Sequence, residues 1–178
     1  MATPNTKTEA IPTGVWSADR IHSTVGFAVP YMAGSFQGTF SDFEAHLKDG
    51  ALRGNAQVAS VEVKDPNLTT HLQSPDFFDA ERFPQLSFEA SEIGRSGDDL
   101  TIACELTLKG HTEPVQIQGH INDPAPDPYG GVRLGVQLEA KVDRTSFGLN
   151  WNNPLPSGDP ALANEVTIIV DLQLVKET

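Results

Sequence analysis

Five histidines, one cysteine and an acid–base step at the end of an apolar strand are the residues of this chain whose types could do chemistry. The histidines are His22, His46, His71, His111 and His120. No two of them share a helical spacing with a carboxylate between, and no cysteine pair stands beside them, so metal ligation has no spacing to support it. His46 falls out of phase with Ala45 and Leu47, and His120 out of phase with Ile121, which points both to solvent. Ser23 adjoins His22, but neighbours in a strand face opposite ways and form no nucleophile–base pair. There is no Gly-x-Ser-x-Gly elbow and no glycine loop opening a long helix. Cys104 lies on the apolar face of its strand and reads as a small buried hydrophobe; as the only cysteine it can form no internal disulfide.

Asp143-Arg144-Thr145-Ser146-Phe147-Gly148 puts an acid and a base where an apolar strand ends. Two readings stay open. One is a strand-end ion pair, or a turn that satisfies backbone groups. The other is a polar gate in which Arg144, a fixed cation, meets an anionic or phenolic headgroup and affects ligand choice more than folding. Phenylalanine outnumbers tyrosine nine to two, and Phe27, Phe36, Phe40, Phe77, Phe78, Phe83 and Phe88 all fall in the first half. A ring without a polar handle lines dry space, either an ordinary core or a tunnel for an apolar chain.

The elements that must position these residues are strands. Leu100, Ile102, Cys104, Leu106 and Leu108 alternate with mostly polar residues, which separates a buried face from a wet one. The pattern returns at Val115, Ile117 and Ile121, through 132–142, and from Val166 to Leu174. Earlier strands are expected at 14–20, at 22–29 with Pro30 ending it, from Gly34 onward, and at 55–63. The phase slips between Phe40 and Phe43, which predicts a bulge or sharp bend at Ser41–Asp42. Asp49-Gly50 and Gly110-His111 signal turns, and 94–99 and 122–131 read as loops. From 65 to 83 alternation stops; 68–72 suits a helical turn limited by Pro75, and its leucines and phenylalanines need a surface to cover. That crossover reads as packed on the barrel wall or across its mouth, where the segment 67–83 could open for a ligand. About eight antiparallel strands closing into a barrel leave an interior that side chains fill or one slim ligand occupies. Val25, Phe27, Phe36, Phe40, Phe88, Leu106, Leu108, Val136 and Leu138 share the inward phase.

Length and charge bound the rest. At 178 residues a single all-β domain is expected over 14–177, behind a disordered polar leader at 1–13. The net charge of −12 opposes nucleic acid and anionic lipid. Residues 1–13 hold no apolar run of signal-peptide length, so the expectation is a cytoplasmic protein with no integral membrane segment.

Several stretches, in order from about residue 15 to 175, resemble the YceI-like family. They are Trp16-Ser17-Ala18-Asp19-Arg20-Ile21-His22-Ser23 with Val25 and Phe27; the run from Gly34 to Phe43; His71 to Asp79 through Phe83-Pro84 and Phe88; Leu106 to Thr112 before Pro114-Val115; Asp143-Arg144 with Phe147-Gly148; and Glu165-Val166. The resemblance implies an extended lipocalin-like antiparallel β-barrel with an apolar pore that holds an isoprenoid-type chain, a polyprenyl or quinone-like lipid. It implies no cofactor and no catalytic residue. The residues expected to meet the ligand are Val25, Phe27, Val29, Tyr31, Phe36, Phe40, Phe77, Phe78, Phe88, Leu106, Leu108, Val136, Leu138, Arg144, Phe147 and Trp151. Two features depart from the pattern: many members carry a secretion signal, and many have histidine where Tyr31 stands. Competing readings are an enzyme on such a molecule, using Asp143 or a histidine as acid or base, and a filled barrel acting through a protein partner. A homodimer is the self-association weighed.

Overall fold

Two-residue alternation becomes strand nearly everywhere it occurs. The computed structural model describes residues 10–177. In chain order it contains β1 (Val15–Ala18), β2 (Thr24–Tyr31), β3 (Gly34–Phe40), β4 (Phe43–Lys48), β5 (Ala51–Gln57), β6 (Val61–Glu62), the helix α1 (Pro66–Gln73), β7 (Gln85–Ser96), β8 (Asp99–Leu108), β9 (His111–Ile121), β10 (Ala125–Pro126), β11 (Val132–Asp143) and β12 (Glu165–Lys176). Short 3-10 turns occupy Val58–Ser60 and Arg144–Phe147. Of the leader expected at 1–13, residues 1–9 lie outside the described residues; Ile11 packs against the core, and Trp16 Nε1 donates to the Thr13 carbonyl at 3.0 Å. No described helix is long and apolar enough to cross a membrane.

Eight strands close a barrel in the order β11-β9-β8-β7-β5-β4-β1-β12, and β12 returns to β11. β2 and β3 carry the paths of β1 and β4 onward past two bends and form the upper wall; β2 pairs with β12 from Thr24↔Asp171 to Ala28↔Thr167. At the second bend Phe40 and Phe43 are both buried while Ser41 and Asp42 are exposed, the expected phase slip. Ser60 fixes this bend: its Oγ accepts from Asp42 N at 3.0 Å and its carbonyl from Ser41 N at 3.2 Å. The β4–β5 and β8–β9 hairpins turn through Asp49-Gly50 (φ 50° and 82°) and Lys109-Gly110 (φ 51° and 75°). Two successive left-handed residues match the twist of the flanking strands, and glycine supplies the second without strain.

Several boundaries differ from expectation, among them the loop at 122–131, which contains β10, and the turn expected at Gly110-His111, which falls at Lys109-Gly110. Residues 19–23 form the first bend, so β2 opens at Thr24 rather than at residue 22. Pro30 does not end β2, which runs on to Tyr31; its carbonyl accepts from Ala163 N, and a strand position that needs only an acceptor tolerates proline. The stretch 55–63 is no single strand: β5 begins at Ala51, and the 3-10 turn at Val58–Ser60 swings the chain across so that Val61 pairs with Phe40. The loop expected at 94–99 shrinks to Gly97-Asp98, because β7 and β8 stay paired as far as Ser96↔Asp99.

The lower half of the barrel, around β1, is solid. Trp16, Leu47, Leu52, Ile102, Ile121, Leu134 and Leu174 are all buried there, each contributing roughly 1.5–3 kcal/mol by leaving water. Arg95 is also buried; Nε donates to the Gly97 carbonyl at 2.8 Å and Nη2 to Asp123 Oδ1 at 2.9 Å. Arg133 Nη1 donates to Asp19 Oδ2 at 2.7 Å and Nε to Asp127 Oδ2 at 2.8 Å, tying the 19–23 bend to the 122–131 loop.

Asp19 titrates well below the ordinary carboxylate range, chiefly because Arg133 donates to it and secondarily because His22 does. Asp127 is lowered as well, by the Gly131 backbone N–H first and Arg133 next. A carboxyl whose proton binds more tightly in the unfolded chain stabilises the fold fully above the unfolded value of about 3.9 and loses that stabilisation as pH falls towards the depressed folded value. Urea midpoints should therefore be flat from neutrality to about pH 5 and decline below about pH 4. Asp19→Asn should lower the plateau and flatten the acid limb; an acid limb as steep as wild type would remove Asp19 from this account.

Candidate ligand-binding cavity

The upper half of the barrel is hollow. A cavity of about 150 Å³ starts at the level of Ala45, Cys104 and Leu172 and rises past Phe27, Phe88 and Leu106 to Phe77, Leu149 and Leu162. Thirteen of the residues expected from sequence line it: Val25, Phe27, Val29, Phe36, Phe40, Phe77, Phe78, Phe88, Leu106, Leu108, Leu138, Arg144 and Phe147. Three do not. Val136 faces inward but lines a separate void of about 10 Å³ in the solid lower half, with Leu47 and Leu174. Tyr31 packs its ring on Phe36 at 6.0 Å and bridges to Leu162. Trp151 lies behind Phe77, their centroids 5.3 Å apart.

The crossover replaces a missing piece of wall. β3 meets β6 only at Thr39 and Phe40, so the strand ladder is interrupted above that level. α1 and the turns after it fill the gap. Asp65 caps the helix by accepting from Asn67 N at 2.9 Å, Pro66 sits at its first position, and the helix ends before Pro75. Leu72, Phe77 and Phe78 turn inward and are buried. Lys109 Nζ ties the β8–β9 hairpin to the crossover by donating to the Pro75 carbonyl at 2.7 Å.

The segment 144–164 completes the cap, and Arg144 holds it. The side chain is buried, with the residue only 5 % exposed, yet it does not pair with Asp143. Its Nε donates to the Ala163 carbonyl at 2.8 Å and Nη1 to the Leu149 and Trp151 carbonyls at 2.6 and 2.8 Å. Nη2 makes longer bonds of 3.4 Å to the Leu162 carbonyl and Asn164 Oδ1. These contacts use all five guanidinium N–H groups. Burial pulls its pKa below the ordinary arginine value, against a smaller upward pull from Asp143. Asn152 adds a second clamp: Nδ2 donates to the Leu162 carbonyl at 2.8 Å, and Oδ1 accepts from Leu162 N at 3.0 Å. The two halves of the cap meet through rings, with His71 4.7 Å from Trp151 and 5.0 Å from Phe77.

Polar chemistry is kept out of this space. Asp143 is exposed and accepts from Thr145 N and Oγ1 at 2.9 and 2.6 Å, which lowers its pKa. Burial pushes the Cys104 thiol up to about 11, so the cavity wall carries a neutral S–H. Glu44 and Asn55 border the cavity but belong to the outward phase of β4 and β5, and Glu44 reaches Arg20 outside at 3.6 Å. The histidines are dispersed: His22 bonds Asp19, His46 bonds Ser17, His71 bonds Asp76, His111 bonds the Lys109 carbonyl, and His120 bonds Asp99. Among the described residues, no three His, Cys, Asp or Glu groups converge as a metal site.

Residues 16–174 match the YceI-like domain, nearly the whole barrel. The chain belongs to the YceI-like family. It is 29% identical over 164 residues to Protein YceI of Escherichia coli, spanning 88% of this chain and 83% of that protein, and 28% identical over the same shares to Protein YceI of Salmonella newport. Its fold is similar to that of Burkholderia cenocepacia BcnA, with a TM-score of 0.76 and 23% identity over 88% of this chain and 98% of the other. It is also similar to a polyisoprenoid binding domain from Saccharophagus degradans implicated in plant cell wall breakdown, with a TM-score of 0.72 and 12% identity over 91% and 98%.

Sequence reasoning missed several wall residues of this YceI-like barrel. Leu149 and Leu162 sit in the irregular segment, where no periodicity marks an inward face. Ala45, Ala56 and Cys104 carry the correct phase but are small, and their place on the cavity wall follows from strand register. The donors of Arg144 serve four main-chain carbonyls and Asn164 Oδ1, and none is left over for a ligand headgroup. Arg144→Met should strand those carbonyls and cost about 3 kcal/mol or more in urea unfolding, with partial recovery in Arg144→Lys. A stability within about 0.5 kcal/mol of wild type would show the cap to be held by other contacts.

Proposed function

We propose that this YceI-like chain binds an apolar, isoprenoid-type molecule in its upper cavity, either to carry it or to sequester it. One observation carries the reading: the wall is hydrocarbon almost throughout, and Arg144, the buried charged side chain among the described residues that line it, has every N–H bonded to the protein. A buried polar headgroup would find no free partner, at a cost of about 1–3 kcal/mol or more. The occupant's inserted part is therefore pure hydrocarbon, and any headgroup stays at the rim near Tyr31 and Trp151. The fold shared with the Saccharophagus polyisoprenoid binding domain supports the same class. Among the described residues no acid or base is turned into the lumen, which favours binding over catalysis. The net charge of −12 supports a soluble carrier that does not engage nucleic acid. Residence in the cytoplasm and assembly as a homodimer belong to the same reading, and cell fractionation and analytical ultracentrifugation test them.

Size adds a constraint. An apolar cavity of about 150 Å³ holds a benzene-sized group. A polyprenyl chain needs more, so its uptake moves the cap. The segment 67–83 is the candidate lid: it is joined to β3 by packing rather than by a strand ladder, and local opening costs less than global unfolding.

Solvent extraction of purified protein followed by mass spectrometry should yield a long-chain isoprenoid at near-stoichiometric amount. An extract free of any apolar molecule, together with no binding of added geranylgeraniol, would end the carrier reading. In hydrogen exchange, amides of 67–83 should exchange early in lipid-free protein and slow on adding geranylgeraniol. If they are as protected as β8 in both states, the segment is a fixed brace and entry lies elsewhere.

A further inference from the structure

We infer that Gly38 and Gly54 set the width of the lumen, and so the cross-section of the hydrocarbon chain it admits. The ligand class rests on the carrier reading above; the geometry does not. Gly38 on β3 stands directly opposite Phe27 on β2, and Gly54 on β5 directly opposite Phe88 on β7. Both glycines have the inward phase, Gly38 between Phe36 and Phe40 and Gly54 between Leu52 and Ala56. Neither has a left-handed backbone, so conformation does not demand glycine at either position.

Space does demand it. A Cβ at Gly38 would lie 2.6 and 2.9 Å from Cζ and Cε1 of Phe27 and 3.0 Å from Val63 Cγ1. A Cβ at Gly54 would collide with Cε1 of Phe88 and lie 2.6 Å from its Cζ and 2.9 Å from the Glu44 carbonyl oxygen. Each ring therefore occupies the volume that a side chain on the next strand would take. It lies flat on the wall, and its width is subtracted from the wall instead of from the lumen. Phe27 and Phe88 both line the cavity, so the lumen is the open space into which a displaced ring can turn.

Magnitudes decide the consequence. The cavity of about 150 Å³ is itself about the size that holds one benzene ring. One phenyl group swung off the wall fills it. Phe27 has the further effect of disturbing its neighbours, since its ring lies 6.2, 5.9 and 6.2 Å from those of Phe36, Phe40 and Phe78. The occupant that fits the open form is a slim chain of single-chain width, bearing methyl branches at most; a fused-ring lipid does not fit between rings that already touch the wall.

Gly38→Ala is the cleaner variant, because the three nearest atoms its Cβ meets all belong to side chains, whereas at Gly54 one is main chain. The test uses lipid-depleted full-length protein, with xenon as the cavity probe in 129Xe NMR and geranylgeraniol as the chain probe. Wild type should take up xenon. Gly38→Ala should stay folded by circular dichroism, lose the xenon signal and bind geranylgeraniol roughly tenfold more weakly or worse. Gly38→Ala/Phe27→Leu should restore both. Should Gly38→Ala fail to fold, Phe27→Leu alone decides: it should raise xenon uptake above wild type. Wild-type xenon uptake in Gly38→Ala, no recovery in the double variant, no gain in Phe27→Leu, or no uptake by wild type would each overturn the inference. Xenon uptake by wild type without geranylgeraniol binding would instead count against the isoprenoid reading and leave the width assignment standing on the xenon results.

Discussion

β12 has two edges, and both are occupied along the strand. One edge pairs with β11 from Arg133↔Val175 to Asp143↔Glu165. The other takes β1 near its end and β2 nearer its start. A sheet with an apolar face can bury that face by curling on itself, and closure also removes the edges that would otherwise recruit other chains. Here the last strand of the chain supplies the closure, holding the first strands against β11. Every inward residue, and the cavity itself, depends on that seam.

Closure alone would leave the upper wall open, because β3 diverges from β5 beyond the Ser41–Asp42 bend. Two stretches without alternation repair it. The crossover fills the side with Leu72, Phe77 and Phe78, and the segment 144–164 covers the top with Leu149 and Leu162. The crossover has no ladder to hold it, and the segment 144–164 has only the short Tyr31–Leu162 bridge to β2, with Met32 N donating to the Ala161 carbonyl and Ala163 N to the Pro30 carbonyl, so both lean on side-chain bonds to main chain. Arg144 is the strongest of these: a cation suits carbonyl dipoles better than a neutral donor does, and burial sharpens the interaction. A cap built this way is ordered and joins the sheet's hydrogen bonding only at its edge, beside Tyr31.

The lumen wall is rich in phenylalanine and the solid lower half is built of aliphatic side chains with Trp16, so what keeps the lumen open is how its rings are laid. Phenylalanine in a small barrel tends to fill it. Cross-strand glycines at 38 and 54 let two rings lie along the wall, whereas below them Trp16, Leu47 and Leu174, on the adjacent strands β1, β4 and β12, are buried and leave only the void of about 10 Å³. The polar inventory follows the same division. Acids and histidines sit on the outer face or at turns, and the buried cations Arg95 and Arg144 are bonded to carbonyls or to a rim carboxylate. A space so arranged discriminates by shape.

The sequence by itself determined which residues face inward. The strand pleat sends residues i and i+2 to the same side, so Leu100 to Leu108, Val132 to Val142 and Val166 to Leu174 declare their faces without a partner. It also declared the slip at Ser41–Asp42, the Asp49-Gly50 turn and the helix stop before Pro75, since each depends on local geometry alone. Height along the barrel was not legible. Val136 and Leu138 share a phase and a strand, yet Val136 packs in the solid half and Leu138 lines the cavity. Height depends on the stagger between strands, which hydrogen-bond register sets across the whole closed sheet. For the same reason only the tertiary structure decided that Arg144 serves carbonyls from Leu149 to Ala163 rather than its neighbour Asp143. Periodicity encodes a direction from the chain; what stands in that direction is decided by segments distant in sequence.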